Sequence, residues 1–365
     1  MTLLNEGENI SGAYIVERFL GEGAFAEVYR VRHRFLGRQA MKVLKSAGMN
    51  AQELEEMLGE AIILSRIGHP NIVRVFHADV AENENGTHGF FTMEYVAGGS
   101  LDQFWKSHGN QFVPVGTVVE IMRQVCRGLA VAHCDDPPII HRDIKPQNIL
   151  IGYDATGVRA RVSDFGLAKH VNPLTLMASA RGTRCFKAPE VFRDSKSDSR
   201  TGDVWALGMT MYLLLTDRLP FATDRDDVID PSVFEQPAAA PSKWNIAVDD
   251  GLDLIVSRAL EIQPGKRYHT AREMLEALER WEPQKISSPI QKVSSSSKVT
   301  VEFQGGPSPN EQEAKGLAAK ALRLARQVNT LAEAADTMEE AFNRWPEIRR
   351  QHEHQVKLWR RGVMM

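Results

Sequence analysis

The chain has 365 residues, enough for two or three domains or for one large domain with appendages. Hydrophobic residues make up 43% and charged residues 25%, which excludes a fully disordered or fibrous chain. A net charge of -3 gives no electrostatic ground for nucleic-acid binding, and three scattered cysteines fit a reducing compartment better than a disulfide framework.

The first residues, MTLLNEGENISG, lack the basic start and apolar middle of a signal peptide, and residues 1–10 are read as a short N-terminal extension. Three stretches then alternate as strands do: Tyr14 to Leu20, Glu27 to Val31 and Gln39 to Leu44. The spacing of Leu54, Met57, Ala61 and Leu64 predicts a helix over 50–67. Ile72 to Ala78 and Gly89 to Tyr95 read as two more strands, with Asn85-Gly86 as a hairpin signal between them. Beyond residue 100, helices are expected near 115–134, 200–216, 249–262 and 270–281. A small strand-rich half thus precedes a larger helical half, an α+β arrangement. No apolar run approaches the ~18 residues of a membrane span. The nearest, Val204 to Leu215, directly follows Asp203 and reads as a buried helix. A cytoplasmic protein is expected.

Composition changes at Pro283. Residues 283–310 hold seven serines and four prolines and are read as a flexible linker. From Glu311 a helical pattern resumes. Leu317, Ala321, Leu324, Val328, Leu331, Ala335, Met338, Phe342 and Trp345 alternate in steps of four and three, a heptad seam that ends at Pro346. Ala325, Ala332, Ala334 and Ala341 widen its apolar face, which favours a helical bundle, or docking on a partner or on the rest of the chain, over a simple coiled-coil dimer. Residues 347–361 carry five Lys/Arg against two acids. They read as a solvated helix face before a membrane-surface or acidic-partner contact.

Four segments carry chemistry. Gly21-Glu22-Gly23-Ala24-Phe25-Ala26-Glu27-Val28 lies between two strands, where glycines let backbone N–H groups approach phosphate oxygens. Alone, such a hairpin is more often just a turn. Lys42 follows on a strand, and a lone lysine there would be a snorkelling surface residue. Glu60, in line with the apolar stripe of its helix, needs a cationic partner, and Lys42 is the expected one. The strongest segment runs from Ile139 to Leu150 and contains His141-Arg142-Asp143, Lys145 and Asn148 between apolar anchors. Asp164-Phe165-Gly166 comes sixteen residues after Asn148.

In this order the segments resemble a eukaryotic-type (Hanks-type) serine/threonine protein kinase, of the compact kind found in bacteria, over residues 11–282. Ala188-Pro189-Glu190, Asp203 and Arg267 also stand where that family has them. The resemblance implies a bilobal kinase fold, with a small lobe over 11–95, a large lobe over 99–282 and a helical tail over 311–365. It implies ATP in the cleft and Mg²⁺, with Mn²⁺ as a substitute. Lys42 would hold the α and β phosphates, fixed by Glu60. Asp164 and Asn148 would ligate metal. Asp143 would take or orient the proton of the substrate hydroxyl, and Lys145 would offset charge on the moving phosphoryl group. Gly21, Glu22 and Gly23 would cover the phosphates. Val28, Ala40 and Leu150 would sandwich the adenine, Met93 would stand behind it, and backbone groups of Glu94 and Val96 would bond its edge. Glu190, Asp203 and Arg267 would be structural.

Lys145 and Gly182-Thr183 resemble the serine/threonine branch. Arg142 beside Asp143 implies control by a phosphate on the 166–183 loop, at Ser179 first and Thr175 next, with Thr183 structural. The sequence departs from the family at three places. Ala26 replaces a third glycine, Ser100 replaces an acidic ribose contact, and Arg184-Cys185-Phe186-Lys187 alters the substrate pocket. Cys185 beside Arg184 and Lys187 reads as a small half-buried side chain before a redox-sensitive thiol. Protein substrates are the expected partners, with self-association or partner docking through 311–345. Ser294 to Ser297 are expected phosphorylation sites in the linker. The alternative function is a pseudokinase-like ATP-binding scaffold acting through the tail.

Overall fold

The computed structural model describes residues 2–23, 26–47, 51–83, 86–109, 111–155, 157–165, 184–194, 199–221, 233–234, 236–283 and 309–363. The linker expected within 283–310 lies almost wholly outside them, as do Gly166, Thr175, Ser179 and Thr183.

The first part is an antiparallel sheet in the order β1-β2-β3-β4-β6-β5. Its strands are β1 (Asn9–Ile10), β2 (Tyr14–Glu22), β3 (Ala26–His33), β4 (Gly37–Ala47), β5 (Val75–Asn83) and β6 (Gly86–Glu94). The alternation that predicts the strands also sorts their faces. Tyr14, Val16, Tyr29, Val31, Met41, Val43 and Phe90 form one buried cluster. Ala26, Ala40, Leu44, Phe91 and Met93 form another, under helix α1 (Ala51–Ile67) with its buried Leu54 and Leu58. The hairpin signal holds, since Asn83 pairs with Gly86. The N-terminal residues join this lobe: β1 pairs with β2, Leu4 is buried, and its N–H donates to the Tyr29 hydroxyl at 3.0 Å.

Helix α2 (Leu101–Lys106) opens the larger, helical part, followed by α3 (Val115–His133) and the hairpin β7 (Ile149–Asp154) and β8 (Gly157–Val162). Then come α4 (Pro189–Arg193), α5 (Arg200–Thr216), α6 (Asp250–Ala259) and α7 (Ala271–Arg280). Side-chain caps fix the helix starts: Ser199 accepts from Gly202 N–H, Asp249 from Leu252 N–H and Thr270 from Glu273 N–H. Every residue of α5 from Asp203 to Thr216 is buried, so it is the central core helix and not a membrane span. The chain crosses between lobes at 95–99. There Gly98 is required, because a Cβ would fall 2.1 Å from the Ile151 carbonyl oxygen.

The tail corrects the sequence expectation. The heptad seam is not one helix. It breaks into α8 (Pro309–Leu324) and α9 (Leu331–Arg344), and the seam residue Val328 is 62% exposed in the turn between them. Small residues set the packing instead: Ala314, Ala318, Ala321 and Ala325 let α8 lie close against Ala334, Met338 and Phe342. The basic end is solvated on one side only, with Arg361 exposed. It forms α10 (Glu347–Arg360), with Val356 and Trp359 buried in the same cluster. Arg360 Nη2 pairs with Asp336 at 2.6 Å and Glu339 at 2.7 Å. Tyr153 of β7 joins this cluster, so the tail packs on the larger lobe.

Candidate active site

The loop from Ile139 to Asn148 is held from beneath by Asp203. Its Oδ2 accepts the His141 N–H at 2.8 Å and its Oδ1 the Arg142 N–H at 2.9 Å. His133 completes the anchor. Its Nδ1 accepts the Ala271 N–H at 3.1 Å, so Nε2 carries the proton and donates to Asp203 Oδ2 at 3.1 Å. Burial alone would raise the Asp203 carboxyl. The hydrogen bonds from His133 Nε2 and the His141 N–H outweigh it and hold the carboxyl below its ordinary value. The same tautomer logic fixes His141: Nδ1 accepts the Asp143 N–H at 3.2 Å, and Nε2 donates to the Ser163 carbonyl at 2.8 Å. The His141 ring packs against Phe165, centroids 4.6 Å apart. Arg142 adopts φ +68°, which turns the loop so that the next side chain faces the cleft.

Asp143 is thereby fixed. Lys145 Nζ lies 2.8 Å from its Oδ2. Asn148 Nδ2 donates to the Asp143 carbonyl at 2.8 Å and to Oδ2 at 2.9 Å. Both amide hydrogens of Asn148 are thus used, which leaves its amide oxygen as an acceptor. Asp164, in the left-handed region at φ +64°, receives Lys42 Nζ at 2.8 Å on Oδ1. Burial would raise this carboxyl too, but Lys42, His141 and Lys145 hold it below its ordinary value. Lys42 was expected to pair with Glu60. The structure gives it Asp164 as a partner, and the Glu60 side chain lies outside the described residues. Asp164 offers a carboxylate and Asn148 an amide oxygen, on segments joined by the Ser163 N–H to the Asn148 carbonyl at 2.9 Å, and such hard oxygen donors suit a divalent metal ion.

Above these polar groups, Val28, Ala40, Met93 and Leu150 meet in one apolar cluster. Strand register explains it, since Val28 pairs with Lys42 and Ala40 with Met93. Gly21 and Glu22 end β2 opposite Val28 and Glu27, and the Gly23 N–H donates to the Ala26 carbonyl at 2.8 Å. Ala24 and Phe25 at the loop tip lie outside the described residues. In the 95–99 segment the Gly99 N–H reaches the Val96 carbonyl at 3.4 Å. Ser100 is occupied as the cap of α2, accepting the Gln103 N–H at 3.3 Å.

Farther out, Arg267 grips Glu190 with two parallel bonds of 2.7 Å, fully buried and 4.8 Å from the Trp205 ring. Arg142 Nη1 donates to the Ile140 carbonyl at 2.8 Å, and its own carbonyl accepts from Lys187 Nζ. Cys185 is half-buried against the large core. Two contributors escaped the sequence reading. His133 sits 70 positions from Asp203 at the end of a helix, and Ser163 acts through its carbonyl. No local motif marks either one.

A sheet-rich lobe, a helical lobe and a cleft holding Lys42, Asp143, Asn148 and Asp164 define the bilobal protein kinase fold. The protein kinase domain family matches residues 14–278. Serine/threonine-protein kinase PrkC of Bacillus subtilis is 32% identical over 274 residues, 73% of this chain and 40% of that protein. PknB of Mycolicibacterium smegmatis is 32% identical over 273 residues, 73% of this chain and 42% of that protein. ATG1c of Arabidopsis thaliana is 35% identical over 213 residues, 58% of this chain. The chain spans only 28% to 42% of the lengths of these relatives. Among solved structures, the PknI kinase domain of Mycobacterium tuberculosis aligns with a TM-score of 0.56 at 28% identity, covering 76% of this chain and 99% of that one. The chain belongs to the protein kinase domain family.

Proposed function

We propose that this protein transfers the γ-phosphoryl group of ATP to serine and threonine hydroxyls of proteins. The observation that carries this reading is the pair of fixed carboxylates: Asp143, held by Lys145 and Asn148, and Asp164, held by Lys42. Asp143 accepts the proton of the attacking hydroxyl. The new P–O bond forms to that oxygen while the bond to the β-phosphate oxygen breaks, and ADP leaves. Lys145 sits where it balances charge on the moving group, and Lys42 serves the α and β phosphates. Glu60 orients Lys42 once nucleotide occupies the cleft. A divalent ion, Mg²⁺ or Mn²⁺, would be held by Asp164 and Asn148 and would neutralise phosphate charge. Val28, Ala40, Met93 and Leu150 enclose the adenine, while Glu94 and Val96 offer backbone groups to its edge. Gly21, Glu22 and Gly23 cover the phosphates. Glu190, Asp203 and Arg267 hold the large lobe in shape.

The residue set required for transfer is complete, which disfavours an ATP-binding scaffold without activity. The working division of the chain is a kinase domain over 11–282, a linker over 283–310 and a helical tail over 311–365. Autophosphorylation of the 166–183 loop, at Ser179 or Thr175, is the proposed control. Among the described residues no helix is long and apolar enough to cross a membrane; the proposed place of work is the cytoplasm. Phosphoamino-acid analysis of protein incubated with labelled ATP and Mg²⁺ tests the reading. Phosphoserine and phosphothreonine are expected, and label chiefly on tyrosine would overturn the branch assignment.

A further inference from the structure

The tail touches both lobes at once. On the small lobe, Glu340 of α9 pairs with Arg30 of β3 and, at 3.2 Å, with Arg18 of β2. Its Oε1 also accepts the Tyr95 hydroxyl at 2.7 Å. Glu333, seven positions earlier and so two turns along the same face, lies 3.2 Å from Arg38 of β4. On the large lobe, Phe342 meets Tyr153 edge to face, centroids 6.3 Å apart. Arg349 Nη1 donates to Ser107 Oγ at 2.9 Å and its guanidinium covers the Phe104 ring at 4.6 Å. Arg361 Nε donates to the Ala155 carbonyl at 2.8 Å.

Between these two sets of contacts the tail reaches the interlobe segment itself. Asn343 Nδ2 donates to the Ala97 carbonyl at 2.9 Å. Gly99 makes room for it: at φ +76° a Cβ would stand 2.9 Å from the Asn343 amide nitrogen. Glu94, at the end of β6, is tied to Arg161 of β8 at 3.1 Å. The 94–99 segment is therefore gripped on its outer side by α9, while its inner side faces the apolar cluster of Val28, Ala40, Met93 and Leu150. Among the described residues none of the tail contacts involves Lys42, Asp143, Asn148 or Asp164.

We propose that the tail helices form a strap across the outer side of the hinge, and that Asn343, Glu340 and Glu333 are positioning residues that set the lobes for nucleotide binding. The argument is geometric. A rigid body bonded to both lobes and to the segment joining them restricts their relative rotation. Nucleotide binds the arrangement the strap favours, so strap docking and nucleotide affinity are coupled, each strengthening the other. The occupant of the Arg18, Arg30 and Arg38 face is this chain's own α9, matched to it by charge. This proposal rests on the kinase reading of the cleft.

The test uses the full chain with Glu333→Arg and Asn343→Ala. Two readouts are followed: hydrogen exchange of 94–99 and of α9, and KM for ATP against kcat. Both variants should raise exchange in the hinge and raise KM for ATP about fivefold or more, with kcat little changed. Arg38→Ala and Glu333→Ala together should cost less than the sum of the two single losses, because the two side chains are paired, although Arg38 also holds Glu17 at 3.3 Å. Unchanged hinge exchange and KM in variants whose α9 has become freely exchanging would overturn the strap. So would a wild-type α9 that already exchanges as freely as in Glu333→Arg. A dimeric mass that Glu333→Arg converts to monomer would overturn docking within one chain. If wild type transfers no phosphate at all, the kinase reading fails, and the hinge-exchange comparison still decides the strap.

Discussion

Lys42 Nζ lies 2.8 Å from Asp164 Oδ1, joining the small-lobe sheet to the segment after β8 across 122 positions of sequence. Each group neutralises the other in a buried site, where an unpaired charge would be costly. Under the proposed function a phosphate would compete for the lysine and a cation for the carboxylate. Lys42→Met and Asp164→Asn should each cut phosphoryl transfer by about 10²-fold or more at saturating ATP and Mg²⁺, with the fold retained by circular dichroism. Near-normal turnover in either variant would remove the assignment of that residue.

Arg267 is fully buried, and its partner is the Glu190 carboxylate in a two-pronged bond. Arg267→Ala leaves that carboxylate without its cation and should cost about 3–5 kcal/mol of stability. Lysine cannot reproduce the fork, so Arg267→Lys should recover only part of the loss. Denaturant midpoints measure both. A loss under about 1 kcal/mol for Arg267→Ala would show that the pair does not hold the lobe.

The Asp203 carboxyl is held below its ordinary value of 3.8 despite burial, by His133 and His141. A depressed carboxyl contributes stability that is complete above the unfolded value and is lost as pH falls through the folded one. Asp203→Asn should therefore destabilise by about 1–3 kcal/mol at pH 7, because two loop N–H groups lose a charged acceptor. The gap to wild type should narrow as the pH is lowered towards 3. Urea midpoints at the two pH values check it, and a gap of constant size would contradict the linkage.

The catalytic loop was legible because its chemistry is contiguous: Asp143, Lys145 and Asn148 lie within six positions, and their contacts are local. The strands were legible because both faces of the sheet follow the period of two. The lysine's partner was not. Asp164 is brought to Lys42 only by the packing of the two lobes, and the Glu60 side chain that helix phase put forward lies outside the described residues. The tail was half legible. Its helicity follows from periodicity, but counting the seam through 325–330 hid a turn, because a period of 3.5 continues on paper where a chain reverses. Arg18, Arg30 and Arg38 belong to no motif in the sequence. Nothing in their neighbourhood announces Glu340 and Glu333, about three hundred positions away.

Glu339 on α9 is fully buried with Oε2 lacking a hydrogen-bond partner among the described residues, although Arg360 lies 2.7 Å from Oε1. Burial outweighs the guanidinium and pushes the carboxyl from 4.5 up to about 7. The same pair holds Arg360 more firmly protonated, so the attraction is real but smaller than the cost of burying the carboxylate. A raised carboxyl favours the fold below the unfolded value and loses that advantage as pH rises through the folded one. Between pH 4.5 and about 7 the tail should therefore loosen as pH rises. Glu339→Gln should remove this slope while Asp336 keeps Arg360 paired at 2.6 Å. Exchange protection of α9 at the two ends of that range reads it out, and an unchanged slope in the variant would assign the titration to another group.

The most direct measurement is transfer of labelled γ-phosphate from ATP with Mg²⁺ by the full chain, beside Asp143→Asn. In the proposed mechanism Asp143, fixed by Lys145 at 2.8 Å and Asn148 at 2.9 Å, takes the hydroxyl proton. The account predicts label on serine and threonine with wild type and a loss of about 10²-fold or more with the variant. Equal incorporation by both proteins, or none by wild type with nucleotide and metal saturating, would contradict it.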